Sequence, residues 1–401
     1  MKPDKIYLVV PRIIEQPTWG GRYILEQKKW DKKKEFKGLK TGQSYELFSG
    51  SNLRGDISST DDRSFTGELG YAMEPDKFKY LGDKKKLVSL KKIIKRYPKE
   101  FLGSTAAKKH GGEMKILIKF TQAKGNSFQM HLAKGTRSGK WIAKPESWYY
   151  FDPGLITLGA KKNIDWEKYK QACVAMDREL RALGELVKKK KMKLDAARVK
   201  AGEIVKKYDP YKFVNKIRVK KDTLIDLSSG AVHHSWEESR SRHALGNVVY
   251  ELCLDVMDPV SSIRCFDKGK IKDNGSLRKL HIDDYFRNVS RSDETNDPKK
   301  HILSPTRLSA GKNAKVLGLL RTKYYCLDKM ILSGTYSGAH TDSRRSFHHL
   351  FAKKGNVIIK TGGEEIQLTE GHSCIVPAAI GKYAISPQSR GSVEILKTFI
   401  N

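Results

Sequence analysis

Residues 346–386, SFHHLFAKKGNVIIKTGGEEIQLTEGHSCIVPAAIGKYAIS, decide the fold class. Short apolar and β-branched runs alternate with turns, and each turn carries a glycine. That rhythm predicts a jelly roll, an antiparallel barrel of two sheets. Working outward, most of the first 160 residues follow the same grammar. KIYLVV, SYELF, EMKILIKF, SFQMHLA and ESWYYFDPGLITLGA are brief aromatic or β-branched runs bounded by Gly, Asp and Lys. One helix is expected among them, in KKLVSLKKIIKRYPKEFLG, with Leu87, Leu90, Ile93 and Ile94 on one face and a stop near Pro98.

From Asp165 the period changes. Trp166, Tyr169, Cys173, Met176, Leu180, Leu183 and Val187 recur at steps of three and four, which predicts an amphipathic helix. A second helix over roughly Leu194 to Tyr208 completes a helical hairpin. Strand patterns return in KIRVKKDTLIDLSSGAVHH, NVVYELCLDV and SSIRCFD, and SRSDETNDPKKH reads as a linker. The fold class expected is mainly β with a helical insertion.

The chain has 401 residues, 38% of them hydrophobic, enough for two or three packed domains. The opening MKPDKIYLVVPRII has too short an apolar run for a signal peptide, and no segment has the length of a membrane span. Five scattered cysteines without a C-x-x-C pair suit reduced thiols, so a cytoplasmic setting is expected. Lys and Arg number 78 against 45 Asp and Glu, a net charge of +33. Such an excess makes nucleic acid a candidate partner. The lysines are dispersed, however, with no zinc finger, ribonucleoprotein motif or G-x-x-G clamp, so the charge reads as a solvated lysine-rich surface.

The chemistry centres on NSFQMHLAKG, residues 126–135. On a strand, Gln129 and His131 share one face. That pair suits a metal site, and equally a strand whose polar side faces water. Lys144 and Glu146 form a second same-face pair, and His233 follows a Gly-bearing turn. Gln, His, Glu and His together would make a mixed nitrogen and oxygen site suited to zinc with an open position.

Seven blocks, in order, resemble the type I phosphomannose isomerases: PTWGG, GQSYELFSGS, LKKIIKRYPKEFLG, ILIKFTQAKGNSFQMHLA, KPESWYYFDPGLITLG, VKKDTLIDLSSGAVHH and IRCFDKGKIKDNGSLRKLHID. The later LFAKKGNVII and EGHSCIVPA are similar to that family's second cupin barrel. The resemblance implies two cupin barrels plus a helical subdomain. It implies a catalytic cupin domain made of residues 1–163 and 211–296, a helical insertion at 164–210, and a C-terminal barrel at 297–401. The family's Q-V-H-P strand corresponds to Gln129-Met130-His131-Leu132, its K-x-E-x-W motif to Lys144–Trp148, and its G-T-x-H to Gly230–His233. Gln129, His131, Glu146 and His233 are then expected to hold one Zn²⁺, with Lys144 touching substrate. The family's catalytic arginine falls on Arg264, and an acidic residue beside the site on Glu251.

The activity implied is interconversion of mannose 6-phosphate and fructose 6-phosphate through a cis-enediol. Arg264 would stabilise developing negative charge, and its guanidinium keeps its proton, which suits an electrostatic role better than that of a base. The base is open between a metal-bound hydroxide, Glu251 and Lys144. Lys144 is the first candidate for the phosphate, with Arg240, Arg242 and His243 nearby in sequence. Leu132 and Ala231 depart from the family pattern. The stretch from Gly230 to Glu251 is longer than usual and offers His243 as a rival ligand, with His233 preferred on the alignment of the preceding residues. A noncatalytic cupin that binds sugar phosphate, or serves as a scaffold, is the alternative reading.

Overall fold

The structure is a computed structural model, and it describes residues 2–17, 19–56, 64–68, 79–235 and 244–401. It is mainly β with a helical part, as the sequence predicts. The chain forms two compact units, one from residues 1–122, 249–255 and 303–401 and one from 123–248 and 256–302.

The first unit contains the double-sheet barrel expected from residues 346–386. One sheet has nine strands, and its central members are Cys326–Leu332, Val393–Phe399, His348–Lys354, Ser373–Val376 and Tyr7–Val10. The other has four: Tyr336–His340, Lys382–Pro387, Val357–Lys360 and Glu365–Leu368. Alternate residues of both sheets meet in one core, with Leu350, Ala352 and Ile395 from the first and Val357, Ile359, Ile366 and Leu368 from the second. The N-terminal strand is an interior member of the larger sheet. Tyr7 pairs with Ile375 on one side and Leu8 with Arg54 on the other, so the C-terminal barrel is completed by the beginning of the chain.

A buried ion pair ties these segments together. Lys28 Nζ lies 2.8 Å from Glu46 Oε1, and both side chains are fully buried. The Glu46 carboxylate also accepts from Ser44 Oγ at 2.6 Å and Ser373 Oγ at 2.9 Å, and Lys28 donates to the Gly371 carbonyl. Burial lowers the Lys28 pKa, and Glu46 opposes that shift. Glu46→Gln leaves the ammonium buried beside a neutral group, an uncompensated charge that costs about 3–5 kcal/mol. Urea denaturation of the variant is expected to show a lower midpoint with an unchanged slope.

His349, also fully buried, donates from Nε2 to the Glu46 carbonyl at 3.3 Å and accepts at Nδ1 from the Tyr250 hydroxyl at 3.2 Å. Burial pushes its pKa down from 6.5 to about 3. Acid therefore protonates the unfolded chain first. The contribution of His349 is fully present above about 6.5 and is lost as pH falls toward 3, at about 1.4 kcal/mol per pH unit. His349→Gln is expected to reduce the pH slope of the unfolding free energy across that window.

The second unit is built on a five-stranded sheet in the order Val214–Val219, Gly154–Ala160, His233–Ser235, Phe128–Met130 and Ile263–Phe266. The expected helical hairpin covers one of its faces. Its helices span Trp166–Lys188 and Leu194–Tyr208, the first capped by Asp165 accepting from Glu167 N and Lys168 N. Tyr169, Cys173, Met176, Leu180 and Leu183 form the buried stripe, packed with Phe128, Met130, Cys265 and Phe266 from the sheet. All five cysteines are free and buried. Among the described residues, no helix is long and apolar enough to cross a membrane.

Two local expectations need correction. The helix near Pro98 begins only at Leu90, where Ser89 caps it, and ends at Arg96; Pro98 opens a new helix, Pro98–Leu102. Leu87 lies outside it. Proline is tolerated at a first helical position because its missing N–H has no partner there anyway. The stretch 290–301 is not a linker. It holds a short helix at Asp293–Asn296, and Asn296 and His301 are buried in the second unit. Asn296 Oδ1 accepts from Ala160 N at 2.8 Å, and His301 bonds the carbonyls of Asp226 and Thr295. Its polar residues satisfy backbone groups inside the fold, a role that composition does not reveal.

Candidate metal centre

The site grows from the register of the five-stranded sheet. Gln129 pairs directly with His233 on one neighbouring strand and with Arg264 on the other. Residues opposite one another across a sheet share a face, so these three form a row. His131, two residues beyond Gln129, falls on the same side just past the strand end. Phe128 and Met130 point the other way, into the core beneath the helices.

Glu146 opens a separate strand, Glu146–Tyr150, and is brought in by a turn. Leu227 N donates to the Glu146 carbonyl at 2.9 Å, and Lys134 N donates to the Ser228 carbonyl at 2.9 Å. Gly230, with φ of 89°, closes the turn against the His131 segment; a Cβ there would stand 3.0 Å from Ala133 N and 3.2 Å from the His131 carbonyl. The turn therefore anchors to both the His131 and the Glu146 segments before the chain enters the His233 strand.

His131 Nε2 lies 3.0 Å from Glu146 Oε2, and His233 Nε2 lies 3.9 Å from Glu146 Oε1. All three residues are buried, and their donor atoms lie within 4.8 Å of one another. Each ring nitrogen on the far side faces a carbonyl: His131 Nδ1 to Ser261 O at 2.7 Å, and His233 Nδ1 to Ala231 O at 3.0 Å. A carbonyl only accepts, so Nδ1 carries the proton and Nε2 of the neutral ring is a bare lone pair. His131 Nε2, His233 Nε2 and Glu146 Oε2 make no hydrogen bond. Three acceptors converging in a buried space repel unless a cation lies among them, so the donor set fits a borderline divalent metal such as zinc.

The remaining contacts orient the carboxylate. Trp148 Nε1 donates to Glu146 Oε1 at 2.7 Å, and Lys144 Nζ lies 3.5 Å from Oε2. Burial pushes the Glu146 carboxyl up, but the neighbouring Lys144 pulls it down, and its pKa lies well below the usual range. Burial likewise pushes His233 down to about 4, against the pull of Glu146, so its ring is neutral. Gln129 is half-buried, and its Oε1 accepts from Ser127 Oγ at 3.3 Å. The two departures from the family pattern are accommodated. Leu132 packs into the core and bridges Ala143, and the carbonyl of Ala231 holds His233.

Arg264 is 11% exposed and donates from Nη2 to Asp258 Oδ2 at 3.0 Å and from Nη1 to the Ser262 carbonyl at 3.3 Å. Burial lowers its pKa, and Asp258 partly restores it. Glu251 is placed in the first unit, where it accepts from Lys119 Nζ at 2.6 Å and Thr121 Oγ1 at 3.4 Å. Arg240, Arg242 and His243 lie outside the described residues.

Two residues near Arg264 escaped the sequence reading. His281 brackets it: Arg264 N donates to His281 Nδ1 at 3.4 Å, and His281 N donates to Arg264 O at 2.7 Å. Burial and the neighbouring Arg264 push His281 down to about 4. Asp258 contacts both Arg264 and Lys144, with Lys144 Nζ 3.8 Å from Oδ1. The only sequence signal for Asp258 is an acidic residue opening the Asp-Pro turn just before Arg264.

Fold and site together define a mainly β protein with a double-sheet barrel and a buried, three-donor candidate metal centre. Residues 316–396 match the family described as "Mannose-6-phosphate isomerase, cupin domain". The whole chain is similar in fold to mannose 6-phosphate isomerases. It is 14% identical to the enzyme from Bacillus subtilis, with a TM-score of 0.65 and coverage of 98% of this chain and 99% of that one. A zinc-bound holo mannose 6-phosphate isomerase gives 12% identity and a TM-score of 0.60, again covering 98% and 99%. A putative mannosephosphate isomerase from Archaeoglobus fulgidus gives 15% and 0.57, covering 100% and 99%. No curated protein matches by sequence. The family match thus bears out the resemblance of the C-terminal LFAKKGNVII and EGHSCIVPA segments, and the fold of the whole chain agrees with it.

Proposed function

We propose that this protein is a zinc-dependent aldose–ketose isomerase that interconverts mannose 6-phosphate and fructose 6-phosphate. The observation that carries the reading is the convergence of His131 Nε2, His233 Nε2 and Glu146, three buried acceptors without a shared proton, on the sheet face that also bears Gln129 and Arg264.

Gln129, His131, Glu146 and His233 would hold the ion. Zinc bound there supplies Lewis-acid polarisation of the sugar oxygens. The reaction moves a proton from C2 of the aldose to C1, and a hydroxyl proton from O2 to O1, through a cis-enediol. Arg264 contributes a permanent cation in a water-poor setting, where it stabilises the charge that develops on the enediol oxygens. Lys144 Nζ stands 3.5 Å from Glu146 and 3.8 Å from Asp258, and in its ammonium form it serves the anionic substrate in the same way. The carbon-bound proton is carried by Glu251 or Lys144, the two candidate bases of the chain itself. Substituting each in turn and following exchange of the C2 proton with solvent tells them apart.

The reading is tested by NMR observation of mannose 6-phosphate with the purified chain before chelation, after chelation and after zinc is restored. Turnover is expected to vanish with the chelator and return with zinc. A folded, zinc-loaded protein that leaves the sugar unchanged overturns the reaction and favours a noncatalytic sugar-phosphate-binding cupin.

A further inference from the structure

Among the described residues, Asp258 is a carboxylate that touches both cations beside the candidate metal centre. Its Oδ2 meets Arg264 Nη2 at 3.0 Å, and its Oδ1 faces Lys144 Nζ at 3.8 Å while accepting from Ser262 Oγ at 3.1 Å. The two cations are covered, with side chains only 3% exposed for Lys144 and 11% for Arg264, whereas Asp258 is 54% exposed. An acidic side chain thus spans two buried cations from the solvent side.

We propose that Asp258 is an internal counter-anion that occupies the place of the substrate's anionic group and must be displaced by it. The proposal rests on the sugar-phosphate reading of the site and adds how the site selects charge. A phosphate dianion at Lys144 brings two charges and three terminal oxygens, so it competes effectively with a single carboxylate, and its arrival frees Arg264 for the enediol oxygens. A neutral sugar gains nothing from either cation and leaves Asp258 where it is. A monoanion only matches it. Asp258 therefore sets a threshold that favours phosphorylated substrates. It is anchored for the purpose at the start of a single turn, where Ser261 N and Ser262 N donate to its backbone carbonyl at 3.2 and 3.0 Å. The side chain can swing into water without disturbing that turn.

The test uses the full-length, zinc-loaded chain with inorganic phosphate and acetate as probes, titrated calorimetrically. Asp258→Asn keeps the size and the acceptor for Ser262 Oγ but removes the charge, and at a half-exposed position it preserves the fold. Phosphate affinity is expected to rise by about tenfold, with a smaller preference of phosphate over acetate. Asp258→Glu, which restores the charge, is expected to return phosphate affinity to within about threefold of the unaltered chain. Unchanged or weaker phosphate binding in Asp258→Asn overturns the proposal. The titration needs no turnover. Tighter phosphate binding without isomerisation would sink the reaction and keep the counter-anion; turnover with unaltered phosphate affinity would sink the counter-anion alone.

Discussion

Glu146→Gln is expected to weaken zinc binding by more than about 100-fold while leaving the protein folded. Glu146 supplies the only negative charge among the three converging donors, so glutamine turns an anionic set into a neutral one. The amide is the same size, and its NH₂ can donate to the bare His131 Nε2 that lies 3.0 Å from Oε2 in the unaltered protein. The substitution relieves the repulsion between the two acceptors but takes one of two carboxylates from the buried Lys144, which keeps Asp258 at 3.8 Å, so the metal-free variant is expected to lose some stability and still fold. Competition against a chromophoric chelator measures the affinity, and thermal unfolding of the apo protein measures the fold. Zinc affinity within about threefold of the unaltered chain would remove these residues as a metal centre, whatever the activity.

Arg264→Ala carries the second large effect. Loss of a fixed cation at developing oxyanion charge typically costs about 10²–10³ in kcat. Arg264 is nearly buried, bonded through Nη1 and Nη2, and set by register opposite Gln129. Its removal should lower kcat by that order and leave zinc binding intact, because no ligand depends on it. Arg264→Lys should recover only part of the rate, since an ammonium cannot reproduce the planar fork that reaches Asp258 and Ser262 together. A kcat within about threefold of normal for Arg264→Ala, with zinc bound, would exclude the arginine from the chemistry.

Much of the site was legible because local geometry reports it. A strand turns alternate residues to one face, so Gln129 with His131 and Lys144 with Glu146 could be paired from spacing alone. What spacing left open was which histidine joins them. The structure places His233 Nε2 at 3.9 Å from Glu146, while His243 lies outside the described residues. Asp258 and His281 were not legible. Neither sits in a periodic pattern, and each acquires meaning only from the side chain it meets after folding. The stretch 290–301 misled for a related reason: charged, proline-bearing composition reads as a linker, yet Asn296 and His301 are buried where they bond backbone groups of distant strands.

By itself the sequence determined the mainly β class, the double-sheet rhythm of residues 346–386 and the helical hairpin, whose second helix runs over the residues expected for it. These follow from periodicities of two and 3.6 residues, which the chain carries locally. Only the tertiary structure decided which strands lie side by side. It set Gln129 opposite His233 and Arg264, and it inserted the N-terminal Tyr7–Val10 into the sheet that closes the C-terminal barrel. Backbone hydrogen bonds between strands are the same for any sequence, so no local code names the partner. Pairing is selected by whether both faces of the assembled sheet find a core or a polar partner, and the whole chain settles that at once.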